Sequence, residues 1–215
     1  MTFKALPALV LGFVMTAIAV SAAWAGEPVK IVAFGDSLTA GYGLAPGEGF
    51  VDQLQARLTD EGIEAEVADA GVSGDTASGG LSRLEWSVPE DADAVIVELG
   101  ANDALRGVDP EVTRQALSEI VSRLQARGQK VLLAGMLAPP NMGPQYGTEF
   151  NAIYPDLAEK TGVLLYPFFL EGVAADSALN QADGIHPTAE GVKVVVDGIL
   201  PKVKELVEEA RKAKG

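Results

Sequence analysis

The 215-residue chain has no cysteine. Disulfides and lipid attachment at a Cys are both excluded, so the core must hold the fold without cross-links. It has one histidine, too few for a centre built from several imidazoles. Basic residues are also scarce: 16 Lys and Arg stand against 30 Asp and Glu, for a formal net charge of −14. A field of that sign repels nucleic acid and anionic lipid surfaces and favours solubility. Around Ser37, in "VAFGDSLTAGYG", there is no G-x-S-x-G elbow. The same stretch has neither the Lys of a P-loop nor the G-x-G-x-x-G spacing.

What is present begins with an export signal. Lys4 precedes the apolar run "ALPALVLGFVMTAIAV", and "AWA" supplies a small-x-small cleavage site. Residues 1–25 are expected to be a signal peptide, cleaved after Ala25, and residues 26–215 a single domain. The alternative is an uncleaved anchor, since the run is just long enough to span a bilayer. Cleavage is favoured because "GEPVK" opens soluble sequence directly after the site. The mature protein is then periplasmic or secreted, with no stable membrane anchor. The roughly 190 residues left suit one domain with a real core.

Short apolar runs then alternate with helical patterns. "VKIVAF", "EAEVADAGV", "ADAVIVELG", "KVLLAGM" and "VLLYPF" read as strands. Helices are expected over 50–62 with Gly62 as the stop, over 109–128 with Asp109 as cap, over 148–161, and from Pro187 onward with a kink at Pro201. Ser37 is expected at a strand-to-helix junction. This order predicts an α/β fold with a mostly parallel sheet covered on both faces. Its working site belongs at the carboxyl ends of the strands.

The single histidine, His186, falls at that end, in "DGIHPT". A lone histidine is by default a structural residue. Here Asp183 lies three residues earlier, close enough on a turn to orient one ring nitrogen, and Pro187 pre-sets the helix that would hold the ring in place. A carboxylate that fixes the tautomer of a His facing a hydroxyl is the logic of a serine triad. Acyl transfer also needs donors for the developing oxyanion. The Ser37 N–H, the Gly74 N–H and the Asn102 side-chain amide are all available at the strand ends. Gly74 could equally be a turn glycine, and Asn102 a helix cap.

Together, "FGDSLTAG", "GVSGDT", "ELGAND" and "DGIHP" resemble the four signature blocks of the GDSL, or SGNH, hydrolases. The resemblance runs from Val29 to Leu206. "VELGANDALRG" and "AIYPDLAEKTGVLLYPFF" further resemble the small bacterial branch of multifunctional thioesterase, protease and lysophospholipase enzymes and arylesterases. It implies a three-layer flavodoxin-like fold with about five parallel strands. Ser37 would be the nucleophile, His186 the base and then the acid, and Asp183 the orienting carboxylate. Ser37, Gly74 and Asn102 would form the oxyanion hole, with no metal or cofactor. Ala101 departs from the Gly of close relatives by one methyl. Asp36, Asp75 and Asp103 read as caps and loop ties.

The reaction expected is hydrolysis of aryl or acyl esters through an acyl-enzyme. Thioesters and lysophospholipids are further candidates, and the protein is expected to be monomeric. Leu81, Leu137, Pro139, Pro140, Met142 and Tyr146 are expected to line an acyl or aryl groove, with Gly79 and Gly80 letting one wall move. They could equally do no more than pack the loops. Two other classes stand as alternatives: a metal-dependent phosphoesterase, and a non-catalytic phosphate- or nucleotide-binding module.

Overall fold

The computed structural model describes residues 1–2 and 27–214. The expected apolar leader and its cleavage site lie outside the described residues. The strands are β1 (Val29–Gly35), β2 (Ala65–Gly71), β3 (Ala94–Glu98), β4 (Lys130–Ala134) and β5 (Leu164–Tyr166). The helices are α1 (Phe50–Asp60), α2 (Ala77–Ser87), α3 (Ala101–Arg106), α4 (Pro110–Ala126), α5 (Pro144–Asn151), α6 (Ile153–Thr161) and α7 (Ala189–Lys214). The strands form one sheet in the order β2-β1-β3-β4-β5, and every neighbouring pair is parallel.

Burial on both faces explains the composition of the central strands. All five residues of β3, Ala-Val-Ile-Val-Glu, are buried, and in β1 only Lys30 is exposed. Helices α1 and α7 pack on each other, and α7 reaches β1, β3, β4 and β5; α2, α4 and α6 pack together as a second group. Helix α7 buries Val192, Val195, Val196, Ile199, Val203, Leu206, Val207 and Ala210, the stripe expected of an amphipathic helix. The register brings Gly35 level with Gly71 on one side and Glu98 on the other. The loops that follow β1, β2 and β3 therefore leave the sheet at one edge.

Four local features differ from the pattern expected of the sequence. Ser37 heads a run of turns over 37–43 rather than a helix, because Gly41 and Gly43 take left-handed backbone angles that stop helical propagation. The stretch after Thr76 is helix α2, not a mobile loop. The Thr76 side chain caps it by accepting from Gly79 N at 3.1 Å. Gly79 and Gly80 are there for close approach: a Cβ would collide with Asp75 at the first and with Leu99 at the second. The helix expected over 148–161 is two helices meeting at Ala152; Pro155 has no N–H to continue the ladder. Pro187 precedes α7 and bridges to Asn180, while Thr188 Oγ1 accepts from Gly191 N at 3.2 Å.

The acidic loop residues act as ties. Asp75 pairs with Arg83 at 2.7 Å, and the same guanidinium donates to Ala70 O and Gly35 O, both at 2.9 Å. Asp103 is fully buried. One of its oxygens accepts from Ala77 N at 2.9 Å and the other from Thr113 Oγ1 at 3.0 Å, joining α2, α3 and α4. Asp103→Ala should remove both bonds and leave a buried N–H unpaired. The expected cost is about 2–4 kcal/mol, read as a fall of about 5–15 °C in the thermal midpoint.

Candidate active site

The Ser37 turn is closed by its own backbone. Ala40 N donates to Asp36 O, and Tyr42 N donates to Ser37 O, each at 3.0 Å. Ser37 is almost buried, at 8% exposure. The His186 turn closes in the same way, with Gln181 N donating to His186 O at 2.7 Å. Asp183 Oδ1 accepts from the N–H groups of Ile185 and His186, at 3.0 and 3.1 Å. This leaves Asp183 Oδ2 facing His186 Nδ1 at 2.7 Å, and His186 Nε2 lies 2.9 Å from Ser37 Oγ. The hydrogen bond from His186, aided by Ile185 N–H, lowers Asp183 to about 2. A carboxylate at Nδ1 favours the tautomer with its proton there, so Nε2 of the neutral ring can accept from the serine hydroxyl.

Three donors face the same space. Ser37, Gly74 and Asn102 all line one cavity with His186. Among the described residues the N–H groups of Ser37 and Gly74 find no protein acceptor. The Asn102 amide spends one of its two N–H groups on Asp36 Oδ2, at 2.9 Å, and keeps the other. Gly100, φ +115°, turns the chain from β3 into α3 and places Asn102; a Cβ there would strike the Tyr154 hydroxyl, which donates to Leu99 O at 2.9 Å. Ala101 lines the cavity beside Asn102.

Beneath the serine lies a buried carboxyl pair whose part sequence reasoning missed. Asp36, fully buried, accepts from Leu38 N at 3.0 Å and from Asn102. Burial pushes it up to about 6, opposed by those two hydrogen bonds. Glu98 is fully buried as well, and its Oε2 accepts from Thr39 Oγ1 at 2.7 Å and Asp36 N at 3.2 Å. Among the described residues its Oε1 has no partner. Burial first, and the neighbouring Asp36 second, push Glu98 well above the usual carboxylate range. The only sequence signal was an acidic residue ending an otherwise apolar strand.

The cavity measures about 760 Å³ and is walled by side chains such as Leu38, Leu105, Met136, Leu137, Pro139 and Ile185. Among the described residues no Asp, Glu, Lys or Arg contributes to its lining. Leu137, Pro139 and Pro140 thus sit where a groove was expected; Leu81, Met142 and Tyr146 do not reach it. Leu81 is carried on α2 and packs against the core. Met142 lies beside Gly107. Tyr146 stacks on Phe150, with its hydroxyl donating to Val108 O at 2.8 Å. Among the described residues no group of three or more His, Cys, Asp or Glu side chains is arranged to hold a metal ion.

Residues 33–194 match the model of the GDSL-like lipase/acylhydrolase family. The chain belongs to that family. It is 39% identical over 178 residues to the esterase TesA of Pseudomonas aeruginosa, which covers 82% of this chain and 89% of that protein. It is 39% identical over 162 residues to an arylesterase of Vibrio mimicus, covering 75% and 81%. Among solved structures, the SGNH-hydrolase family esterase AlinE4 is 49% identical, with a TM-score of 0.71 over 84% of this chain and 97% of that one. The α/β fold is that of the solved SGNH hydrolases, and the matched span includes Ser37, Gly74, Asn102 and His186.

A raised Glu98 has a consequence for stability in alkali. The folded state holds this proton more tightly than the unfolded chain does. The stability it contributes is therefore complete below the ordinary glutamate range and declines as pH rises toward the folded value. Glu98→Gln keeps an acceptor for Thr39 and removes the ionisation. Urea unfolding at pH 5 and pH 9 should find the wild type losing more stability between the two than the variant. Equal losses would mean that Glu98 ionises freely in the fold.

Proposed function

We propose that the protein is a serine esterase working through Ser37, His186 and Asp183, with the N–H groups of Ser37 and Gly74 and the amide of Asn102 as oxyanion donors. The reading rests on one observation: the 2.7 and 2.9 Å links from Asp183 through His186 to Ser37 open onto a cavity that holds three unspent donors. Ser37 Oγ attacks the ester carbonyl as His186 Nε2 takes its proton. The three donors hold the oxyanion, and the alcohol leaves with the proton from His186. Water activated by His186 then releases the acid.

Substrate class follows from the walls. An apolar cavity without charged side chains accepts an acyl or aryl group and offers nothing to a phosphate. The excess of acidic residues works in the same direction. Neutral aryl and acyl esters are therefore the substrates proposed. Polyanionic thioesters such as acyl-CoA are disfavoured, and zwitterionic lysophospholipids lie between. The leader over residues 1–25 places the enzyme in the periplasm or outside the cell in this reading, with residues 26–215 as its single domain. N-terminal sequencing of exported protein should begin at Gly26.

Ser37→Ala should lower kcat on p-nitrophenyl esters by on the order of 10³-fold or more. An organophosphonate should add to Ser37 in the wild type, detectable by mass spectrometry. Full turnover by Ser37→Ala would overturn the assignment. Asn102→Ala should lower kcat by about 10²–10³-fold if its amide holds the oxyanion. For one acyl chain, kcat/KM should be higher for the p-nitrophenyl ester than for the CoA thioester, and the gap should narrow with added salt.

A further inference from the structure

The nucleophile and its base sit on two turns 149 residues apart in the chain. Both turns are loop, and what holds one against the other decides whether the 2.9 Å contact persists. Gln181 spans them. Its Nε2 donates to Tyr42 O at 2.8 Å and to Pro187 O at 2.9 Å, using both amide hydrogens. Tyr42 N in turn donates to Ser37 O. A continuous path therefore runs from the carbonyl of Ser37, through Tyr42 and the Gln181 amide, to the residue after His186.

The surroundings are shaped to admit that side chain. Gly43 has φ +77°, and a Cβ there would collide with Gln181 Oε1. The Gln181 backbone closes the turn that carries Asp183 and His186: its N–H donates to His186 O, and its carbonyl accepts from Gly184 N at 2.9 Å. The Tyr42 ring lies against the His186 imidazole, with centroids 4.7 Å apart and planes tilted by 38°. Fixing the Tyr42 backbone thus also fixes the ring that limits imidazole motion on that side.

We infer that Gln181 is a positioning residue for the reaction, a side-chain clamp that sets the distance between Ser37 Oγ and His186 Nε2. It touches neither substrate nor cavity, since it is absent from the cavity lining. This rests on the Ser37–His186 reading above. A displacement of about 1 Å in a reacting pair can cost on the order of 10²-fold in rate, so losing the clamp registers in kcat and leaves substrate binding alone.

A second glutamine supplies an internal control. Gln53 Nε2 donates to Glu48 O at 2.8 Å and to Ala189 O at 2.9 Å, clamping α1 to the start of α7 without reaching either turn. Gln181→Met and Gln53→Met each remove one amide and orphan two carbonyls. Both should lower the thermal midpoint by similar amounts. Only Gln181→Met should lower kcat, by about 10-fold or more, with KM within twofold and with organophosphonate labelling of Ser37 slowed by the same factor. Gly43→Ala, which displaces the clamp from the other side, should reproduce that pattern even if Gln181→Met fails to fold. Wild-type kcat in both Gln181→Met and Gly43→Ala, equal kcat losses in Gln181→Met and Gln53→Met, or a loss confined to KM would overturn the clamp. If Ser37→Ala is inactive while the clamp variants are normal, the clamp alone fails. Turnover by Ser37→Ala would overturn both readings.

Discussion

Asp36 and Glu98 are buried side by side at the ends of β1 and β3, and the turn that carries Ser37 is built on them. Buried carboxyl groups are costly unless their oxygens find donors. Here the donors are Leu38 N, Asn102 Nδ2, Thr39 Oγ1 and Asp36 N. Supplying donors to three of the pair's four oxygens therefore shapes the first residues after β1 and fixes one side of the Asn102 amide. Gly35 is part of the same constraint, because a Cβ there would meet Thr39 and Glu98. The chain at this point has room for hydrogen bonds and for nothing larger.

Much of this was legible in the sequence because its signals are local. Apolar runs ending in Gly marked the strands, and their alternation with helical patterns implied the parallel sheet. Asp183 and His186 are three residues apart, so their contact needs only one turn. Ser37, Gly74, Asn102 and His186 fall in loops after strands, and in a parallel sheet all such loops share one edge. The register that makes Gly35, Gly71 and Glu98 level turns that topological expectation into a site.

What escaped depends on pairings across long separations. Asp36 and Asn102 are 66 residues apart, and Gln181 and Tyr42 139. No periodicity records either contact. Helix α2 was hidden because Gly79 and Gly80 weaken local propensity, whereas close approach to Asp75 at the first and to Leu99 at the second demands residues without a side chain there. Leu81, Met142 and Tyr146 were assigned to the groove by neighbourhood in the chain. The direction of α2 sends Leu81 into the core, Met142 lies beside Gly107, and a hydrogen bond to Val108 holds Tyr146.

Two carboxylates close to one serine are thus given opposite characters by their surroundings. Asp183 stands near solvent at 38% exposure, and its hydrogen bond to His186 holds it ionised to about pH 2. In the proposed reaction it would balance the imidazolium that forms as Ser37 loses its proton. Asp36 is sealed beneath the turn and raised to about 6. It accepts from Asn102, directing one N–H of that amide inward and leaving the other free for the oxyanion of the proposed reaction. Were the two exchanged, a buried Asp183 would give the imidazolium a weaker partner, and an exposed Asp36 would leave the amide free to rotate. The asymmetry in burial, more than the identity of the side chains, separates the group that would support the base from the group that would aim the oxyanion donor in the proposed reaction.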